Sequence, residues 1–262
     1  MIPGRLSAMT PHPDPTSRAD RAASFTRGAD VYARVRPGYP AEAVSWLLEG
    51  TTGPVLDLAA GTGLLTRRLV ELGADVVAVD PAAAMLEELS AALPGVDTRT
   101  GTAERIPLAD AGVGAVVVGQ AWHWFDPPRA AAEIARVLRP GGTLGVLTND
   151  RDERVDWVAR FGEILHEGDS LAPDSAQSAA PPALDESFGP AERFEHSWHH
   201  HLPTAELGPL AASRSYALTL SPEDREHLVQ RVEDLAATHA DLSGTTEVAL
   251  PYVTTAYRAR RR

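Results

Sequence analysis

The stretch from Val55 to Leu72 constrains this chain most. Val55 to Leu58 reads as a short buried strand, Asp57-Leu58-Ala59-Ala60-Gly61-Thr62-Gly63 turns out of it, and Leu64 to Leu72 reads as a helix ended by Gly73. Strand, glycine loop and helix in that order define a βα unit of a parallel sheet. The two glycines let the backbone turn tightly and admit a ligand against the main chain. The helix beginning near Leu64 points its free N–H groups at that ligand. Asp80, 19 residues beyond Gly61, closes a second strand, Val76 to Val79. A carboxylate there accepts hydrogen bonds from the two hydroxyls of a ribose. The pattern predicts a nucleoside site at the carboxyl ends of parallel strands.

The alternation extends from Tyr39 to about Leu147. Pro40 opens a helix with Val44, Leu47 and Leu48 on one face. Met85, Leu86, Leu89 and Leu93 mark the helix behind the second strand, with Met85 read as core. Val96 to Thr100 is a weak third strand and Val113 to Val118 a strongly β-branched fourth. Ile134, Val137 and Leu138 carry a helix stopped by the turn Arg139-Pro140-Gly141-Gly142, and Thr143 to Leu147 makes a fifth strand. Beyond, Val155, Val158, Ile164 and Leu165 suggest a helix, 168–190 a mobile loop and Arg193 to His201 a strand. Ser221 caps a helix with Pro222 at its first position, and Val248 to Tyr257 is a closing strand in which Pro251 costs a ladder hydrogen bond. The expected organisation is a disordered segment 1–22 and one domain over 23–262. Within it, 23–150 forms the cofactor-binding core and 151–262 completes the sheet and the acceptor pocket.

Composition excludes several chemistries. The 262 residues contain no cysteine, which removes disulfides, thiol nucleophiles and thiolate metal sites. All 24 basic residues are arginine, so a Walker A lysine, a Schiff-base lysine and a Tyr/Lys proton relay are absent. With 36 acidic residues the formal charge is −12, a poor match to nucleic acid. The one basic cluster, Arg258, Arg260, Arg261 and Arg262, reads as a solvated tail. No apolar run approaches the ~18 residues of a membrane span, and the start has no apolar core of a signal peptide. A cytoplasmic protein with no membrane and no nucleic-acid partner is the expectation, its oligomeric state left open.

A dinucleotide fingerprint wants a third glycine where this chain has Thr66. It also has no special use for an acid such as Asp57 inside the strand end. That acid suits a ligand carrying an ammonium group, a ribose and no phosphate, which describes S-adenosylmethionine. Val55 to Gly63 resembles motif I of the class I S-adenosylmethionine-dependent methyltransferases, and Asp80 the acid of their motif II. Gly101-Thr102-Ala103-Glu104-Arg105-Ile106-Pro107-Leu108 resembles their adenine-contacting loop, Val113 to Gln120 the fourth strand, and Val137 to Gly142 the turn before the fifth. Ala29 to Pro40 is similar to the Ala-x-x-Tyr-x-x-x-Arg-Pro-x-Tyr-Pro segment of the small-molecule enzymes grouped with trans-aconitate methyltransferase. One departure matters: Thr102 stands where an aspartate commonly holds the adenine amino group.

The resemblance implies a doubly wound, Rossmann-like α/β sheet of seven strands, the last pair from the C-terminal region and one of them antiparallel. It implies a cofactor site of Asp57, Ala59, Gly61, Gly63, Asp80, Thr102, Ala103, Glu104 and Gln120. Arg36 pairs with the methionine carboxylate or an anionic substrate in one reading and is a surface arginine in the other. Tyr32, Trp122 and His123 wall the acceptor pocket. His123 can act as a general base or only pack, because an activated sulfonium reacts on proximity and desolvation alone. Glu195 to His201 is a polar edge strand with its histidines split between two faces, so no metal is expected. Ser213-Arg214-Ser215-Tyr216 lines the acceptor pocket or anchors a loop. The expected function is methyl transfer to a small molecule, with a silent S-adenosylmethionine binder and a nicotinamide oxidoreductase as alternatives.

Overall fold

The computed structural model describes residues 35–169 and 181–262. Tyr32, the segment 1–22 and most of the centre of the 168–190 loop lie outside them. Helix α1 spans Ala41–Leu48, β1 Val55–Leu58, α2 Leu64–Glu71, β2 Val76–Asp80, α3 Ala83–Ala92, β3 Asp97–Thr100 and β4 Val113–Gly119. A 3₁₀ turn at Trp122–Trp124 leads to α4, Pro127–Val137, and β5, Leu138–Arg151. Then come α5 Asp156–His166, β6 Glu192–Pro203, α6 Leu207–Ala212, α7 Pro222–Thr238 and β7 Glu247–Arg260.

The seven strands form one sheet in the order β3-β2-β1-β4-β5-β7-β6. The first five are mutually parallel, and β7 runs antiparallel to both β5 and β6. This is the Rossmann-like α/β sheet expected, with its order reversing between β1 and β4. The period of two along each strand sorts its side chains. Val55, Ala115, Val117 and Leu147 face α1 and α2, while Leu56, Leu58, Val116, Val118 and Val146 face α4. All of β1 is buried and nearly all of β4, as parallel strands covered on both faces require. The outer strand β3 is largely exposed, which explains its faint apolar signal.

The C-terminal half builds its own layer. Trp157, Phe161 and Leu165 of α5 pack with Leu207 and Leu210 of α6, Leu228 and Val232 of α7, and Leu250 and Tyr252 of β7. The Ser221 hydroxyl accepts from the Asp224 amide at 3.1 Å, the cap read from the sequence. Along β6, Phe194, His196, Trp198 and His200 point inward, and His199 and His201 stay exposed. The histidines are therefore split between faces, and among the described residues no group of three metal ligands forms.

Three expectations need correction. Arg139 to Gly142 is not a turn between helix and strand but lies inside β5, where the register against β4 shifts between Val113 and Ala115. Pro251 costs no bond to β6. Its carbonyl accepts from the Asp152 amide on the β5 side, so its missing N–H faces beyond the end of β5. The arginines near the end are no frayed tail, because Arg258 and Arg260 lie on β7. Arg258 sits 4.3 Å over the Trp46 ring and pairs with Glu49 and Glu192 at 2.9 and 2.8 Å.

Candidate active site

β1, β2 and β4 end at one edge of the sheet, where strand order reverses and ligands of open α/β sheets bind. Leaving β1, the chain passes through three positive φ values, Ala59 at 60°, Gly61 at 57° and Gly63 at 86°. Leaving β4, it does so again at Gln120, φ 56°. Left-handed backbone at non-glycine residues is costly and collects where a site is built. Between these turns lies a shallow crevice of about 50 Å³, open to solvent and lined by Tyr39, Asp57, Ala59 to Thr62, Leu64, Leu65 and Gly119.

The two glycines differ. A Cβ on Gly61 would meet nothing within 4 Å, so its bare backbone faces open space in the crevice. A Cβ on Gly63 would stand 2.7 Å from Leu89 Cγ. Gly63 therefore lets α2 approach α3, rather than letting the ligand approach the loop as its place in the motif suggested. Gly63 is also the N-cap of α2 and offers no side-chain cap, which leaves the first-turn amides to other acceptors.

Both site carboxylates hold the loop. Asp57 is fully buried, and its Oδ2 accepts from the Thr66 hydroxyl at 2.6 Å. Burial pushes its pKa up to about 7; the Thr66 hydrogen bond opposes this and the nearby Asp80 charge adds to it. Thr66, which argued against a dinucleotide loop, thus clamps the acid. Asp80 accepts from the Gly61 amide through Oδ2 at 2.9 Å and from the Ala82 amide through Oδ1 at 2.8 Å. Burial raises its pKa too, against the pull of those two amides. Each carboxylate oxygen can accept twice, so both oxygens of Asp80 keep capacity for a further donor.

One contributor escaped the sequence reading. The Thr62 hydroxyl is buried and, among the described residues, has no hydrogen-bond partner. A buried hydroxyl without a protein partner is uncommon, and this one lies in the lining of the crevice. A threonine between two glycines carries no distinctive signal, so only burial reveals it. Gly119 was likewise unremarkable, yet a Cβ there would lie 2.6 Å from the Tyr39 hydroxyl.

The remaining predicted residues surround the crevice without lining it. Thr102 is exposed and bridges to Arg105 in a tight turn; Ala103 is core. Glu104 accepts from the Asp126 amide at 3.0 Å, tying this loop to the turn after β4. Gln120 donates from Nε2 to the Asn149 carbonyl at 2.8 Å, and Asn149 donates to the Gly38 carbonyl at 2.9 Å. Trp122 packs half-buried on the α4 side of the core, and His123 is exposed beside Trp124 with ring centroids 4.6 Å apart. Arg36 binds Ser213 through Nε and Nη2, both at 2.9 Å. It therefore reaches the C-terminal layer rather than the loop after β1.

The sheet order and the helices on its two faces define an α/β protein of the doubly wound class. A family model described as a methyltransferase domain matches residues 56–146. An uncharacterised methyltransferase of Mycobacterium tuberculosis is 49% identical over 243 residues, 93% of this chain and 98% of its own. A methyltransferase-like protein of Schizosaccharomyces pombe is 32% identical over 91% and 95% of the two chains. A solved structure from Anaeromyxobacter dehalogenans assigned to type II methyltransferases aligns over 86% of this chain and 97% of its own, with TM-score 0.57 and 26% identity. Geranyl diphosphate methyltransferase, solved in complex with GPP and sinefungin, shares the fold at TM-score 0.54 and 17% identity over 95% and 100%. The chain belongs to the class I S-adenosylmethionine-dependent methyltransferases. It is a methyltransferase.

Proposed function

We propose that the chain transfers a methyl group from S-adenosylmethionine to a small-molecule acceptor and that the crevice after β1 seats the cofactor. The observation that carries this reading is the orphaned Thr62 hydroxyl beside the open backbone of Gly61. Together they form a polar cradle whose missing partner is a ligand atom. When bound, the cofactor supplies a methyl group on a positively charged sulfur. Asp57 and Asp80 supply negative charge on that side of the site, which offsets a ligand cation and favours their own ionised forms. Asp80 holds the ribose hydroxyls with the acceptor capacity its two backbone bonds leave. The first-turn amides of α2 and the Thr62 hydroxyl bind the polar methionine end.

Tyr39 packs over Gly119 and closes one wall against water. The acceptor approaches past the ends of β4 and β5. His123, exposed on its 3₁₀ turn, serves as wall and not as base, since proximity and desolvation suffice for an activated methyl. Calorimetry with S-adenosylhomocysteine tests the seat. Asp80→Ala should lose about 2 kcal/mol, roughly a 30-fold weaker affinity, as removal of a charged acceptor does. Unchanged affinity would remove Asp80 from the site.

A further inference from the structure

β5 ends at Arg151 on the carboxyl side of the sheet, two strands across from β1 and four residues beyond Leu147, which pairs with Gly119 at the rim of the crevice. Arg151 is 12% exposed, its Nε is buried without a partner among the described residues, and its nearest acid, Glu153, is 3.7 Å away. Arg214, just beyond α6, is half-buried. Among the described residues its guanidinium makes no hydrogen bond or ion pair. Arg36 is fixed next to it through Ser213.

These like charges sense one another. Burial pushes the Arg214 pKa down to about 9, and the charges of Arg151 and Arg36 push the same way, against weaker support from Tyr252 and Asp169. His166, at the end of α5, is held below its ordinary value by burial and then by Arg214 and Arg151. The acids facing the cluster are Asp150, Glu153 and Asp169, and burial raises the Asp150 carboxyl. A half-buried guanidinium with five unused donors and a second arginine beside it costs stability unless something else satisfies it. Its planar fork matches the two oxygens of a carboxylate or phosphate.

We propose that Arg214 and Arg151 anchor an oxyanion of the methyl acceptor, a carboxylate or phosphate head group, at the carboxyl end of β5. The inference rests on the methyl-transfer reading, and it makes the acceptor an acid whose anion lies away from the methylated atom.

Titration of the full-length protein with citrate and, separately, inorganic phosphate, at constant ionic strength and followed by calorimetry and thermal shift, tests it. At least one anion should bind saturably, and which one identifies the head group. Arg214→Gln should weaken that binding about tenfold or more, and Arg151→Gln should weaken it as well. Arg214→Lys, which keeps the charge and loses the fork, should fall between. Apo Arg214→Gln should melt no lower than wild type, because a site residue held at a cost releases that cost when removed. Failure of both anions to bind, binding undiminished in Arg214→Gln, or a variant that loses its fold would each overturn the proposal. S-adenosylhomocysteine titrated alone separates the two readings. If it does not bind wild type, the methyl-transfer reading fails, whereas normal cofactor binding without an anion site removes the anchor alone.

Discussion

Gly61 and Gly63 both adopt positive φ, but their bare Cα atoms face different neighbours, and substitutions there should separate. Gly61→Ala adds a methyl group to open crevice. It should cost about 1–2 kcal/mol of stability for its left-handed backbone and weaken S-adenosylhomocysteine further by occupying the seat. Gly63→Ala drives a methyl group against Leu89 at φ 86° and should cost about 2–4 kcal/mol, with affinity following stability. Paired melting and calorimetry check this; equal effects at the two sites would contradict it. Asp57 predicts a pH dependence. Its folded pKa of about 7 lies above the unfolded carboxylate value, so between those values the folded state binds the extra proton. Stability then falls as pH rises from about 4 to 7, and the penalty is complete above 7. Asp57→Asn keeps an acceptor for the Thr66 hydroxyl and should raise the apo melting temperature more at pH 8 than at pH 5. A gain independent of pH would remove the carboxyl as its cause.

At the scale of elements, β7 decides how the C-terminal half attaches. It lies between β5 and β6, and its arginines reach back to α1. Arg258→Ala removes the stack on Trp46 and contacts to Glu49 and Glu192, and should cost about 1–2 kcal/mol in a denaturant titration. A change within error would return these residues to a solvated tail. Deeper in the same strand, the Trp198 indole donates to the Thr254 hydroxyl at 2.8 Å, which donates to Asn149 Oδ1 at 2.6 Å. Thr254→Val strands both partners and should cost about 1–3 kcal/mol, measured the same way; a neutral result would show that water replaces the hydroxyl. The sequence read these elements unevenly for physical reasons. β1, β2 and β4 are short apolar runs between turn signals, hence legible. The extension of β5 over Arg139 to Gly142 was hidden because Pro and Gly mark turns in isolation, whereas here a bulge carries them within a strand. The pairing of Arg258 was invisible because Glu49 and Trp46 lie more than 200 residues away in sequence.

For the whole molecule, the fold follows from alternating strands and helices, and half of the site follows from the same pattern. Asp57, Ala59, Gly61 and Asp80 belong to one contiguous βαβ stretch, where spacing alone fixes relative position. Thr62 and the cluster of Arg151, Arg214 and Arg36 depend on burial and on contacts between distant segments, which no local spacing encodes. The central claim is that the crevice after β1 seats S-adenosylmethionine as methyl donor. A crystal structure of the complex with S-adenosylhomocysteine tests it most directly. The account predicts the nucleoside in the crevice, both ribose hydroxyls on the Asp80 carboxylate, the Thr62 hydroxyl bonded to the ligand, and its sulfur facing the ends of β4 and β5. Ligand bound elsewhere with this crevice empty, or seated with its ribose remote from Asp80, would contradict it.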